Sequence, residues 1–228
     1  MTIDPYFEVG YHVDRYYELE EDFLKVMKYM PLEMNNTPDT RERATSTYLA
    51  DLLIRIGSNI DITFRKMILS NFSHIYDEKL SKINEKRKAQ GKEPLSEINL
   101  NFEDYRRLNS ESIWRVNGKL SDCKVTIIQT GEFLTPFEDW KEEKTPTWWS
   151  SYNHVKHHAE FDKANLNNVI QALAALLLLI CINKHSIKLL NYGYLCIDPK
   201  FKRMVITNHR KESHHDIITK IFISPIQS

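Results

Sequence analysis

Between Ala172 and Ile182 the chain carries eleven consecutive apolar residues, ALAALLLLICI, the most hydrophobic run in its 228 positions. A bilayer-spanning helix needs about 20 such residues, so this run is too short to cross a membrane. The turn before it carries Asn167, Asn168 and Gln171. A run of this length with a polar approach reads as a helix buried on most of its circumference, from Ala164 to Ile182, and other helices must surround it.

Elsewhere apolar residues also recur at the helical step. Tyr16, Leu19, Phe23 and Val26 or Met27 form one stripe, with Asp14 as a plausible cap and Pro31 as a stop. The segment before Asp14 reads as a loop or short turn. A second, longer stripe starts near Pro38 or Asp39 and runs through Leu49, Leu52 or Leu53, Ile56, Ile60, Phe64, Ile68 and Phe72. Gly57 inside it costs about 1 kcal/mol of helix propensity, which suggests a close helix crossing or a kink. Asn59, Asp61 and Arg65 are polar groups within that stripe, and Arg65 reads as a surface or paired residue. Helical character resumes from Ser73 to Lys88 and stops by Gly91 and Pro94, and NFEDYRRLN reads as one further short helix.

Two stretches carry the residues of strands. KVTIIQ at 124–129 is β-branched and compact, whereas FLTPFEDW after it reads as irregular. Tyr192–Ile197 and Met204–Thr207 suggest a small hairpin about Asp198–Pro199, and 217–223 suits either a strand or a helix. The spacing leaves open whether the segments near 122–130 and 192–207 pair with each other. The expected architecture is mainly α, a helical bundle over a single domain, 1–228, with a small β appendage.

Charge excludes little. The 31 basic and 31 acidic side chains cancel, so a uniformly basic nucleic-acid-binding surface is not expected, although a local patch is allowed. Residues 1–50 hold ten acidic and five basic groups, and residues 183–228 hold eight basic and three acidic. Such asymmetry suits pairing of the termini, head-to-tail pairing of subunits, or two solvated faces. Three cysteines, 123, 181 and 196, form no C-x-x-C pair, and MTIDPYFEVG lacks the pattern of a secretory signal. A reducing, cytoplasmic setting is the expectation. With six glycines and no phosphate-cradling loop or G-x-S-x-G elbow, no nucleotide cofactor or serine nucleophile is expected. His154, His157 and His158 lie close together, as do His209, His214 and His215. But the pattern H-E-x-x-H is absent, and three histidines from one helix and loop rarely suffice without acidic or thiolate partners, the nearest candidate being Glu160, so no metal is expected.

Chemistry concentrates in TPTWWSSYNHVKHHAEF, read as a helix opened by Pro146 or Thr147. Asn153 and His157 are i,i+4 neighbours on it, with Lys156 alongside. Trp148, Tyr152 and Val155 occupy a neighbouring face that would serve the core. An amide, an ammonium and an imidazole flanked by large rings would make a half-desolvated polar pocket, where histidine and lysine acquire useful pKa shifts. The bland alternative is that these three groups hydrogen-bond adjacent loops while the tryptophans fill core.

The pattern W-W-x-x-Y-N-x-V-K-H, followed by A-x-L-x-N-V-I-x-A-L-A-A-L, resembles the C-terminal part of HEPN-type helical domains of prokaryotic toxin, abortive-infection and CRISPR-associated proteins. The resemblance spans residues 146–185 and implies a homodimer with a shared cleft. Active members are metal-independent endoribonucleases using an arginine, an adjacent polar residue and a histidine four to six positions later. Carried onto this chain, Asn153 matches the polar residue, His157 the histidine and Lys156 an added cation near phosphate. Tyr152 stands where the arginine would be, and no arginine occurs between positions 116 and 202. Two expectations follow. One is a non-catalytic HEPN-like protein that binds an RNA or protein partner. The other is a defence or toxin–antitoxin ribonuclease with catalytic residues His157, Asn153 and Lys156, in which His157 would face a groove across a two-fold interface.

Overall fold

The computed structural model describes residues 5–30, 37–111, 113, 119–127, 131–183 and 204–207. It is mainly α, with a small antiparallel sheet. The elements in chain order are α1 (Pro5–Met27), α2 (Pro38–Arg43), α3 (Thr47–Asn71), α4 (Ser73–Ala89), α5 (Phe102–Arg106), β1 (Lys124–Ile127), β2 (Phe133–Leu134), α6 (Thr147–His158), α7 (Leu166–Ile182) and β3 (Met204–Thr207).

Helix α7 is the axis. From Ala172 to Ile182 every residue is buried, and α1, α2, α3 and α6 pack around it. Burying each Leu or Ile side chain stabilises by about 1.5–3 kcal/mol, so this helix is the largest single contributor to the core. Its N-terminus is fixed twice: Asn165 Oδ1 accepts from Asn168 N at 2.9 Å, and Leu166 N donates to Ala44 O at 2.9 Å. No helix among the described residues is long and apolar enough to cross a membrane.

The stripe of α1 lies inward as its period requires, with Val13, Tyr16, Leu19, Phe23, Val26 and Met27 buried. The helix begins earlier than the pattern suggests, at Pro5, and Asp14 lies within it instead of capping it. Proline is well suited to a first turn, and nothing in YFEVGYHV forbids helix, so the loop reading of that segment is corrected. The helix stops at Met27, where Lys28, Tyr29 and Met30 fold into hydrogen-bonded turns.

The second stripe divides. Helix α2 has Thr37 as its cap and Pro38 in its first turn, and α3 restarts with Ser46 accepting from Leu49 N at 3.1 Å. Between them Ala44 receives the bond from α7 and Thr45 forms an isolated antiparallel bridge with Asn165. Backbone groups spent on another segment are unavailable to a helix, which is why one predicted element became two. Arg41 of α2 is buried at 1% exposure and pairs through Nη2 with both carboxylate oxygens of Glu132, at 2.7 and 2.8 Å.

Gly57 marks a close crossing, with no break in α3. A Cβ there would lie 2.3 Å from Cδ2 of Tyr152 on α6. Only glycine lets the two helices approach this closely. Helix α4 buries only Ile75 and holds the following segment by polar bonds, including Asn84 to Leu95 and Lys79 Nζ to Asn99 O at 2.8 Å.

The sheet has the order β2-β1-β3, antiparallel throughout. The two β-like regions therefore do pair, Lys124 opposite Thr207 and Ile127 opposite Met204. Phe133–Leu134, read as irregular, adds a two-residue strand against Val125 and Thr126, too short for alternation to reveal it. The expected strand Tyr192–Ile197 and the segment 217–223 lie outside the described residues.

Candidate functional site

Helix α6 opens after Pro146 and closes where Ala159 adopts a left-handed φ of 55°. Lysine and histidine crowd its last turn, where the helix dipole favours positive charge. Trp148, Trp149, Ser151, Tyr152 and Val155 are buried. Trp148 Nε1 donates to Pro136 O at 2.7 Å, and Asn168 of α7 donates to Ser151 Oγ at 2.8 Å, so the N-terminal half of α6 is anchored to two neighbouring segments.

Along α6, Trp149, Tyr152, Asn153 and Lys156 form one side of a groove of about 380 Å³. Asp61 of α3 and Asn101, Phe102 and Glu103 at the start of α5 form the rest. Its apolar wall is stacked: Phe102 lies on Trp149 with ring centroids 4.5 Å apart, and Trp149 contacts Tyr152 at 5.1 Å. Tyr105, also stacked on Phe64 at 4.8 Å, donates its hydroxyl to Asp61 Oδ1 at 2.6 Å. Burial and this carboxylate push the Tyr105 phenol well above its ordinary range, so it remains a donor at any physiological pH.

The three residues singled out by the sequence are divided by the fold. Asn153, half-buried, and Lys156 line the groove. Lys156 Nζ donates to the Tyr152 hydroxyl at 2.9 Å and sits 5.1 Å from the centre of that ring. The bond holds the ammonium above its ordinary pKa, with a smaller contribution from the charge of Asp61. His157 is exposed, does not line the groove, and has no hydrogen-bond partner among the described residues.

Tyr152, in the arginine's place, is 1% exposed. Its ring fills the space above Gly57, and its hydroxyl lies 3.4 Å from Ser58 Oγ and within reach of Lys156. The position therefore serves the α3–α6 crossing. The arginines of α3 do not take its place: Arg55 pairs with Asp22 at 2.7 Å, and Arg65 donates to Asn99 at 2.9 Å. Arg65 is thus a paired residue, as its place in the stripe suggests.

His154 Nδ1 lies 3.0 Å from Glu160 Oε2, and its ring centroid is 5.7 Å from that of His158. Among the described residues no group of three or more histidine, cysteine, aspartate or glutamate side chains is placed to hold a metal ion. His209, His214 and His215 lie outside the described residues.

Sequence reasoning missed the far wall. Asp61 had a signal, a carboxylate inside an apolar stripe, but its partner Tyr105 comes from a segment 44 positions later and had none. Protein-family models, curated proteins and solved structures give no match to this chain.

Proposed function

We propose that this chain is a non-catalytic helical binding protein whose groove between α3, α5 and α6 receives a segment of a partner protein. The observation that carries the reading is the commitment of Tyr152 and Lys156. The tyrosine fills the helix crossing, and the ammonium is bonded to its hydroxyl, which leaves His157 outside the groove. A general base needs an orienting partner close to the reacting phosphate, whereas His157 has no hydrogen-bond partner among the described residues and lies outside the groove, whose one ammonium, Lys156, is bonded to Tyr152.

The lining charges favour a polypeptide over RNA. Two carboxylates, Asp61 and Glu103, face one ammonium, Lys156. RNA affinity rests on cations neutralising phosphates, so a net acidic groove repels the backbone. A peptide segment with a lysine or arginine suits Asp61, its amides suit Asn101 and Asn153, and its apolar side chains suit the Phe102–Trp149 wall. Resemblance to HEPN-type domains supports the same outcome, since a protein of that shape without the arginine is suited to binding.

A second reading has one observation in its favour. The His157 ring is exposed, not packed against the tryptophans, so two copies related by a two-fold axis would be free to bring their histidines together as a ribonuclease of a defence or toxin–antitoxin system. The deciding experiment has two arms. Purified protein and its His157→Ala variant are incubated with single-stranded RNA, and a photo-crosslinking residue is placed at position 153 in cells. The binding reading expects no cleavage by either protein and a protein adduct from position 153. Cleavage that disappears with His157→Ala, or adducts to RNA alone, would replace it.

A further inference from the structure

On the other side of α5 lies a second, larger concavity of about 520 Å³, within the roughly 300–1,000 Å³ range of small-molecule sites. It is bounded by the turn after α5 (Arg107–Ser110), the turn before β1 (Leu120–Asp122) and the turn after β2 (Glu138–Glu142). Four cations line it: Arg106, Arg107, Lys119 and Lys141. Three of them are already oriented. Arg106 reaches Glu103 at 2.7 Å and the carbonyl of Glu143, Arg107 reaches Glu78 at 2.6 Å, and Lys141 reaches Asp122 at 3.3 Å. The carboxylates in these pairs are about half exposed or more, which makes such pairs worth about 0–1 kcal/mol and readily exchanged for a stronger anion. Lys119 is exposed and has no ion-pair partner among the described residues.

The wall also holds two unpaired groups. Ser121 is 1% exposed and Trp140 is 3% exposed, both line the concavity, and neither Ser121 Oγ nor Trp140 Nε1 has a hydrogen-bond partner among the described residues. Leaving a buried donor unmade costs about 1–3 kcal/mol. An indole N–H can only donate, so whatever satisfies it must present an acceptor. Ser121 is held there from behind, its backbone N donating to the buried Asn109 Oδ1 at 2.9 Å. Trp140 is held by its own stacking partner, Phe137, with centroids 4.5 Å apart.

We infer that this concavity is a binding site for a small phosphate-class oxyanion, either free phosphate or the phosphate of a monoester. Two arginine forks grip tetrahedral oxygens in a plane, Lys119 and Lys141 supply point charge, and the Ser121 and Trp140 donors complete the shell after a small side-chain adjustment. The exposed carboxylates that hold these cations, Glu103, Glu78 and Asp122, pass them to the ligand and turn to solvent. The site shares only Glu103 with the α6 groove, and its failure would leave the proposal for that groove standing.

The test is an NMR titration of the full chain, following the indole N–H resonance of Trp140, assigned by its loss in Trp140→Phe. Inorganic phosphate and adenosine monophosphate are added separately at constant ionic strength, with sodium chloride as the control. The expected result is a saturable shift of that one indole resonance, absent with chloride. Lys119→Gln, at an exposed position that leaves the fold intact, weakens the response about tenfold, and Arg106→Gln weakens it further. Equal response to both ligands identifies phosphate itself as the determinant, and a response to the nucleotide alone identifies a monoester. No saturable shift with either, or unchanged affinity in Lys119→Gln, overturns the assignment.

Discussion

Replacing Gly57 by alanine should destabilise this protein, although helix propensity alone predicts the reverse. Alanine gains about 1 kcal/mol over glycine in a helix interior. Against this, the new methyl would stand 2.3, 2.5 and 2.7 Å from three ring carbons of Tyr152, where ordinary contact begins at 3.4 Å. The ring has no free direction, being 1% exposed, packed on Trp149 and bonded through its hydroxyl to Lys156. The helices themselves must separate, and overpacking of this kind costs about 1–3 kcal/mol. Three contacts below 3.0 Å place that cost in the upper part of the range, about 2–3 kcal/mol, so the net loss should be about 1–2 kcal/mol, lowering the thermal midpoint by about 2–8 °C for a chain of this size. Urea unfolding of four proteins measures it: wild type, Gly57→Ala, Tyr152→Ala and the double variant. Tyr152→Ala alone should cost about 3–5 kcal/mol as a large-to-small core change. In that background Gly57→Ala should turn neutral or stabilising, a coupling of about 2–3 kcal/mol. If Gly57→Ala stabilises the wild-type background, or costs the same with and without the ring, the crossing does not depend on this contact.

Three other outcomes are expected. Burial pushes the thiols of Cys123 and Cys181 up to about 12, so in the folded protein both should resist iodoacetamide at neutral pH and react fully in denaturant, as read by mass spectrometry. Above the ordinary thiol value of 9.0 the unfolded chain releases protons that the folded chain keeps, so stability should fall with rising pH by up to about 1.4 kcal/mol per unit for each thiol. Cys123→Ala should flatten that alkaline slope, and an unchanged slope would refute the assignment. Tyr152→Phe removes the acceptor that raises the Lys156 pKa, and the titration midpoint of the Lys156 ε-methylene, followed by NMR, should move down toward 10.5. Because the folded value is the raised one, this bond stabilises fully below 10.5 and is lost as pH rises through the folded midpoint.

The sequence reveals elements whose burial is periodic and hides those decided by distant partners. Leu19 and Phe23, or Ile56, Ile60 and Phe64, declare an inward face by spacing alone, and Gly57 allowed a close crossing or a kink, of which the fold has the crossing. The split between α2 and α3 was not legible, because its cause is Asn165 and Leu166, more than a hundred residues away, claiming the backbone of Ala44 and Thr45. The site was legible on one wall. Asn153 and Lys156 share a helix, so their proximity follows from its period, whereas the placement of Asp61, Asn101 and Tyr105 opposite them depends on tertiary packing. His157 shows the limit of the i,i+4 argument: four residues bring it beside Asn153 on the helix, yet the groove follows Trp149, Tyr152, Asn153 and Lys156 and does not include it.

The central position of α7 also governs how the chain can be made. Its apolar face is completed by α1, α2 and α3, all of which leave the ribosome long before it does. Until Leu166–Ile182 is synthesised, α1 and α3 have each other to pack on but not the helix that completes their core, and part of their apolar stripes remains exposed. Closing the core must therefore wait for α7, and the sequence-distant contacts between α7 and the first three helices form last. The same helix that gives the finished molecule its stability leaves the unfinished one with apolar surface open to association.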